Sequence, residues 1–289
     1  MIIRPARPDD KVAIAAFTTD TFTWGDYVAD AFDSWMADPD GQILIAADSD
    51  DQAVGMARVA MLSAIEGWAQ AARVHPNYRR QGIAGQLTRA GEIWASDRGA
   101  LVMRLLTEAW NEPAQRQVEK SGYRLVAKWA MAQKDVGSSV PSPPGNGGRR
   151  AKAEERLRPA PLPETEPAFL AWSSSDLITS AHGLFPAIGW MWRRLTVEDI
   201  DRAVRTRTLW ECPAGWLIGS IEEAGFWVPW VVTGPEDAYR LIRAAIDLAE
   251  EKGAERLRML IPQTDWLLQA ARRAGLELHP SLLYEKPLA

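Results

Sequence analysis

Two adjacent arginines just ahead of a glycine, in Arg79-Arg80-Gln81-Gly82, are the residues of this chain best suited to grip a phosphate. They stand within Arg73-Val74-His75-Pro76-Asn77-Tyr78-Arg79-Arg80-Gln81-Gly82-Ile83-Ala84-Gly85, which reads as a strand end, a tight loop and a helix start. Val74 closes an apolar run and Pro76 stops regular pairing. Gly82 and Gly85 permit a close backbone turn, and Ile83, Leu87, Ala90 and Trp94 recur on one helical face. The first turn of a helix has unpaired N–H groups and a partial positive charge. Aimed at one point, those groups hold a pyrophosphate. Arg79 and Arg80 add two fixed charges beside it, and a bulky side chain at position 82 would keep the phosphate away. Neither the G-x-x-x-x-G-K-[ST] loop nor the G-x-G-x-x-G turn of dinucleotide folds is present.

The arrangement Arg79-x-x-Gly82-x-Ala84, preceded by Val74-x-Pro76, resembles the pyrophosphate loop of the GNAT superfamily of acetyl-CoA-dependent N-acetyltransferases. The core of the match runs from about Gly67 to Tyr123. The resemblance implies acetyl-CoA as co-substrate, its diphosphate held by Arg79, Arg80, Gln81, Gly82, Ile83, Ala84 and Gly85. It implies central strands that splay apart, so that the backbone of Ala72, Arg73 and Val74 meets the pantetheine arm like an added strand. A backbone N–H there would polarise the thioester carbonyl. Asn111 and Ala114 match the start of the family pattern N-x-x-A-x-x-x-Y, in which the asparagine bonds the cofactor arm. Asn111 reads equally as a helix N-cap. The pattern's tyrosine is missing, for Val118 stands in its place.

Acetyl transfer requires an alkylammonium with a pKa near ~10 to lose a proton, so a base or a water chain is needed. Glu66, on the same side of its strand as Trp68 and Gln70, is the first candidate, and Glu108 is the second. A thiol pKa near ~8.5 makes the thiolate a tolerable leaving group, and water or Tyr27 is available as the acid. Cys212 has no base beside it, which favours direct attack in a ternary complex over an acyl-enzyme. Asp26-Tyr27-Val28 with Phe32, Trp35 and Asp38-Pro39, followed by Gly82 to Gly85, is similar to the histidine N-acetyltransferase-like branch, which acts on free amino acids. That branch carries a glutamate where this chain has Gln70. A free amino acid or small amine is therefore the expected acceptor. A protein N-terminus or lysine is the enzymatic alternative. An acetyl-CoA sensor or assembly partner without turnover is the non-enzymatic one.

The elements that must position these groups follow in order. Ile2 to Arg4 reads as a strand, and Asp9-Asp10 as the cap of a helix through Phe17. The aromatic stretch Asp20 to Pro39 places Tyr27, Ala31 and Trp35 on one helical face, as core or as a wall of the acceptor pocket. Gln42 to Ala47 and Ala53 to Leu62 form a hairpin, and Ile65 to Val74 the next strand. After the loop come a helix closed by Gly99, a strand Leu101 to Leu106, a helix from Asn111 to Gly122 and a last strand Tyr123 to Met131. The second half repeats this order, with Gly253 and Gly275 spaced nearly as Gly99 and Gly122 are. Its counterpart of the phosphate loop is Thr233-Gly234-Pro235-Glu236-Asp237, two acids and no arginine. The expected architecture is α/β (α+β): tandem GNAT-like folds, each a mixed central sheet flanked by helices, the second copy degenerate. The expected domains are 1–135 and 164–289, joined by a linker at 136–163 that is rich in Pro, Gly and Ser and then basic.

Composition fits that picture. A chain of 289 residues suits two domains of about 100–150 residues each. A net charge of −5 gives no basic surface for nucleic acid. One cysteine excludes an intrachain disulfide, and His75, His182 and His279 have no metal-ligand spacing. No apolar run approaches a membrane span of ~20 residues, and the N-terminus lacks a signal-peptide core. A cytoplasmic protein is expected.

Overall fold

A computed structural model describes residues 1–19, 21, 25–137, 156–223 and 225–288. Phe22 and Trp24 of the aromatic stretch, and linker residues 138–155, lie outside the described residues. The chain forms two compact units, 1–126 with 283–289, and 127–282.

The first unit contains β1 (Ile2–Pro5), α1 (Asp10–Thr18), α2 (Val28–Met36), β2 (Gly41–Ala47), β3 (Ala53–Ser63), β4 (Glu66–Val74), α3 (Ile83–Ser96), β5 (Val102–Glu108) and α4 (Glu112–Lys120). Its strands lie in the order β1-β2-β3-β4-β5, and the end of the chain's last strand follows β5. Strands β1 to β4 pair antiparallel, while β4 and β5 run parallel. The parallel pair needs a crossover, and α3 supplies it. Ile83, Leu87 and Ala95 of α3 are buried against one face of the sheet. Full burial of an aliphatic side chain contributes about 1.5–3 kcal/mol. Close approach marks that face: Gly91 of α3 lies against Val59, and Gly67 of β4 against Met103 and Ala95. The opposite face packs under α1 and α2, where Ile14, Val28 and Phe32 form a core with Ile43, Ile45 and Met56. Asp9 stands at the N-cap of α1 without a side-chain bond; Asp10 instead accepts from Arg7 N at 2.6 Å and pairs with Arg4.

The strand after α4, β6 (Arg124–Asp135), does not close the first unit as its sequence position implies. From Ala127 onward it belongs to the second unit. That unit continues with β7 (Arg158–Pro159), α5 (Thr165–Ser174), α6 (Asp176–Ser180), β8 (Leu184–Ile188), β9 (Met191–Arg194), α7 (Val197–Arg205), β10 (Leu209–Cys212), β11 (Gly215–Glu222), β12 (Gly225–Val232), α8 (Ala238–Glu251), β13 (Arg256–Pro262) and α9 (Asp265–Arg273). The last strand, β14 (Glu277–Pro287), passes from the second unit to the first, which takes it from Leu283 onward. The second unit's order, β7-β10-β11-β12-β13-β6, repeats that of the first, and again a parallel pair, β12 with β13, is bridged by a 14-residue helix, α8 as α3 before. A separate hairpin of β8 and β9 has no counterpart among the described residues of the first unit. No helix among the described residues is long and apolar enough to cross a membrane.

Candidate active site

Two irregularities in β4 create the opening. Met56 pairs with Arg73 and Arg58 with Gln70, so two steps of β3 face three steps of β4. The extra residue makes a bulge at Ala71, whose φ is +57°. On its other edge β4 pairs with β5 through Glu66–Val102, Gly67–Met103 and Trp68–Arg104, and the register ends there. Both strands run on, β4 to Val74 and β5 to Glu108. The result is a fork, closed at Trp68 and open toward Val74. Backbone groups of β4 beyond the bulge, among them those of Ala72, Arg73 and Val74, edge the open part.

The phosphate-loop sequence follows the open end. Pro76–Tyr78 forms a single 3₁₀ turn, capped by His75, whose Nδ1 accepts from Asn77 N at 3.2 Å. Tyr78 Oη donates to Asp48 Oδ2 at 3.1 Å and ties the turn to the β2–β3 connection. Arg80 then has φ +62° and Gly82 φ +78°, which swings the chain directly into α3. Gly82 occupies the N-cap of α3 with no side-chain cap, so the first-turn N–H groups at Ile83, Ala84 and Gly85 keep their dipole uncovered by a side chain. Arg79, Arg80, Gln81 and Gly82 are exposed, while Ile83 is only 2% exposed and anchors the turn. Arg79 Nε donates to Val74 O at 3.3 Å, which ties its guanidinium group back to the strand end. Exposed cations and N–H groups of this kind can take a diphosphate.

The face opposite α3 carries the expected catalytic groups. Trp68 Nε1 donates to Gln70 Oε1 at 3.1 Å, as their shared side requires. Glu66 is buried, and both its oxygens are engaged: Oε1 by Arg104 at 2.6 Å, Oε2 by Ser63 Oγ at 2.9 Å. It also lies on the closed part of the fork, eight residues from Val74, about 26 Å at 3.3 Å per residue. Glu108 ends β5 on the open side, and strand alternation puts it on the face of Arg104. Tyr27 precedes α2, with its ring edge-on to Trp35 at 5.9 Å and under the Arg73 guanidinium at 5.8 Å. Desolvation pushes the Tyr27 phenol above its ordinary value. Arg73 is held by Asp26, Nε to Oδ2 at 2.6 Å. Asn111 does cap α4, its Oδ1 accepting from Ala114 N at 3.3 Å. Val118 is buried, so an interior side chain occupies the place of the family tyrosine. Tyr123 is a core residue, its phenol raised by burial and by Glu92.

Arg104 and Glu285 escaped the sequence reading, and so did the pairing role of Asp26, which stood there only as part of the Asp26-Tyr27-Val28 motif. Arg104 carried a signal, since a charge in the run Val102-Met103-Arg104-Leu105-Leu106 is buried and must be paired. The partners of Asp26 and Glu285 are far off in sequence, so local pattern is silent on them.

The second unit keeps the frame and lacks the loop. Its parallel register, Gly225 to Val228 with Arg256 to Met259, ends just before Pro229, and β11 and β12 also slip register there. After Val232, however, Thr233 is buried, its hydroxyl donating to Ala214 O at 2.6 Å. Asp237, at the N-cap of α8, accepts from Arg240 at 2.6 Å. A carboxylate paired with Arg240 therefore stands at the N-terminus of the counterpart helix.

Fork, bulge and open helix terminus lie in sequence within the first unit, at the end of β4 and the start of α3. Residues 11–123 match the profile of the acetyltransferase (GNAT) family. No curated protein matches the chain significantly. Among solved structures, a GCN5-related N-acetyltransferase from Sphaerobacter thermophilus aligns over 99% of this chain and 95% of its own, with TM-score 0.69 and 18% identity. A GCN5-related N-acetyltransferase from Kribbella flavida aligns over 99% of this chain and 71% of its own, with TM-score 0.51 and 14% identity. At these identities the likeness is one of fold, and it extends through both units.

Proposed function

We propose that the chain transfers an acetyl group from acetyl-CoA to a primary amine of a small molecule, a free amino acid being the first candidate, by direct attack in a ternary complex. The observation that carries this reading is the continuity of the fork with the loop: β4 beyond its bulge leads straight into Arg79–Gly82 and the open end of α3. The diphosphate sits at Arg79, Arg80 and the N–H groups of residues 82–85, with Gln81 beside it. The pantetheine arm lies along Ala72, Arg73 and Val74, between β4 and β5, and near Asn111 and Ala114.

The amine nitrogen attacks the thioester carbonyl carbon. A C–N bond forms, the C–S bond breaks, and the thiolate leaves and takes up a proton. The amine's proton goes to a base, so the products are the amide and the free thiol. Glu108 on the open side is our candidate base, and Tyr27, kept protonated by desolvation, is the candidate acid. Glu66, with both oxygens engaged, we assign to holding the fork rather than to proton transfer. The aromatic wall of Tyr27 and Trp35 supports a small acceptor.

The test is release of free CoA thiol across a panel of amino acids, polyamines, aminoglycosides and peptides. Turnover with a free amino acid or small amine is the expected result. Turnover with peptides alone would overturn the acceptor class. Calorimetric binding of acetyl-CoA without thiol release on any amine would favour a sensor, which the buried Val118 in place of a tyrosine also accommodates.

A further inference from the structure

The chain's last strand docks into the first unit through three consecutive polar side chains. Tyr284 Oη donates to Glu119 Oε1 of α4 at 3.0 Å. Lys286 Nζ donates to Glu92 Oε2 of α3 at 2.7 Å. Between them, Glu285 Oε2 accepts from Arg104 Nε at 2.6 Å. Arg104 is 2% exposed and spans two carboxylates, since its other donor meets Glu66. A guanidinium is planar with donors at fixed angles, so two carboxylates on separate edges fix its plane. Arg104 also sits on the last rung of the fork, opposite Trp68. One ion pair would neutralise it; the second carboxylate adds direction, and it comes from a strand outside the matched family segment 11–123.

We propose that Glu285 is a positioning residue of the acetyl-CoA site: through Arg104 it fixes Glu66 and the closed end of the fork, and so sets the opening that receives the pantetheine arm. This rests on the acetyl-CoA reading above. It makes the end of the chain part of the site in the first unit. Glu285 touches no reacting atom in this scheme, and its influence is on the arm alone. The nucleotide half of the co-substrate meets the loop, at the other end of β4, and should not sense it.

That asymmetry gives the test. Binding of acetyl-CoA and of adenosine 3′-phosphate 5′-diphosphate, the same nucleotide without the arm, is measured by calorimetry on the full chain. Wild type is expected to bind both. Glu285→Ala is expected to weaken acetyl-CoA about ten- to a hundredfold, as a misplaced contact does, with nucleotide binding unchanged. Glu285→Gln, which still offers an acceptor to Arg104, is expected to recover most of the loss. Tyr284→Phe, which removes a neighbouring anchor of the same strand, is expected to leave the ratio of the two affinities at the wild-type value. If Glu285→Ala does not fold, Glu285→Asp is read the same way. An unchanged ratio in the Glu285 variants, or equal loss of both ligands, overturns the inference. Wild type that binds neither ligand overturns the acetyl-CoA reading itself, a result distinct from the first.

Discussion

Trp68 and Arg104 form the last parallel rung between β4 and β5, and beyond it the two strands run on without register. A parallel sheet interrupted in this way leaves strand-edge N–H and C=O groups in need of partners, and under the proposed function an extended amide-bearing arm would supply them. The bulge at Ala71 re-aims β4 just past the rung, and the loop then carries the chain into α3.

In the proposed site, Gly82 is the residue on which the phosphate end depends. Its φ of +78° costs a residue with a Cβ about 1–2 kcal/mol, while a Cβ there would meet nothing within 4 Å. Gly82→Glu should therefore fold with a slightly lowered Tm, and its carboxylate would occupy the diphosphate's place. The expected outcome is loss of detectable acetyl-CoA binding by calorimetry. Unchanged affinity would remove the loop from the site.

In the proposed site, Arg79 and Arg80 would act at the same place by charge. Both are exposed, so each is available to a ligand at little cost of rearrangement. Charge-assisted bonds are worth about 1.5–3 kcal/mol, so Arg79→Gln and Arg80→Gln should each weaken acetyl-CoA by about ten- to a hundredfold. The wild-type affinity should fall with added salt, and the variants should show a flatter dependence. A salt-independent affinity would argue against the two guanidinium groups.

Much of this was legible in the residues. Helical periodicity marked α3 and α8, and alternating or continuous apolar runs marked β2 to β5 and β11 to β13, with β2 and β3 buried on both faces. The loop was legible because glycine with two preceding arginines has few structural reasons to occur. The exchange of last strands was not: β6 and β14 have the pattern of buried strands, and pattern does not say which sheet receives them. Glu66 shows the same limit at the level of one side chain. Its strand position was readable, but its partner Arg104 lies on another strand and Glu285 at the far end of the chain, so its occupied state was not.

Acid should loosen the second unit through Asp199. Burial alone would raise this carboxyl, but Arg193, at 2.6 and 2.8 Å, and the Thr196 N–H more than offset it and hold it below its ordinary value. A depressed folded value means the stabilisation is present above the ordinary carboxylate range of about 3.9 and is lost as pH falls through the folded value. Asp199→Asn should lower Tm at pH 7, and its difference from wild type should shrink as pH falls through the folded value of Asp199. Equal Tm of the two proteins at pH 7 would mean the pair contributes nothing.

Cys212 and Tyr27 separate direct attack from an acyl-enzyme. Burial raises the Cys212 thiol, which keeps it protonated and poorly nucleophilic, and it lies in the unit without the phosphate loop. Cys212→Ser should retain full thiol release and show no burst. Tyr27 is different. Desolvation raises its phenol, outweighing Arg73, so it stays a proton donor across neutral pH and loses that role only above the ordinary phenol range. As the acid for a departing thiolate, it acts after acetyl-CoA has bound. Tyr27→Phe should therefore lower kcat by about a hundredfold and leave acetyl-CoA affinity unchanged, since a positioned acid contributes about 10²–10⁴-fold. The wild-type rate should show an alkaline limb that the variant lacks. Retention of kcat in Tyr27→Phe would pass the acid role to water, and a burst of thiol in wild type that Cys212→Ser abolishes would replace the ternary complex with a covalent route.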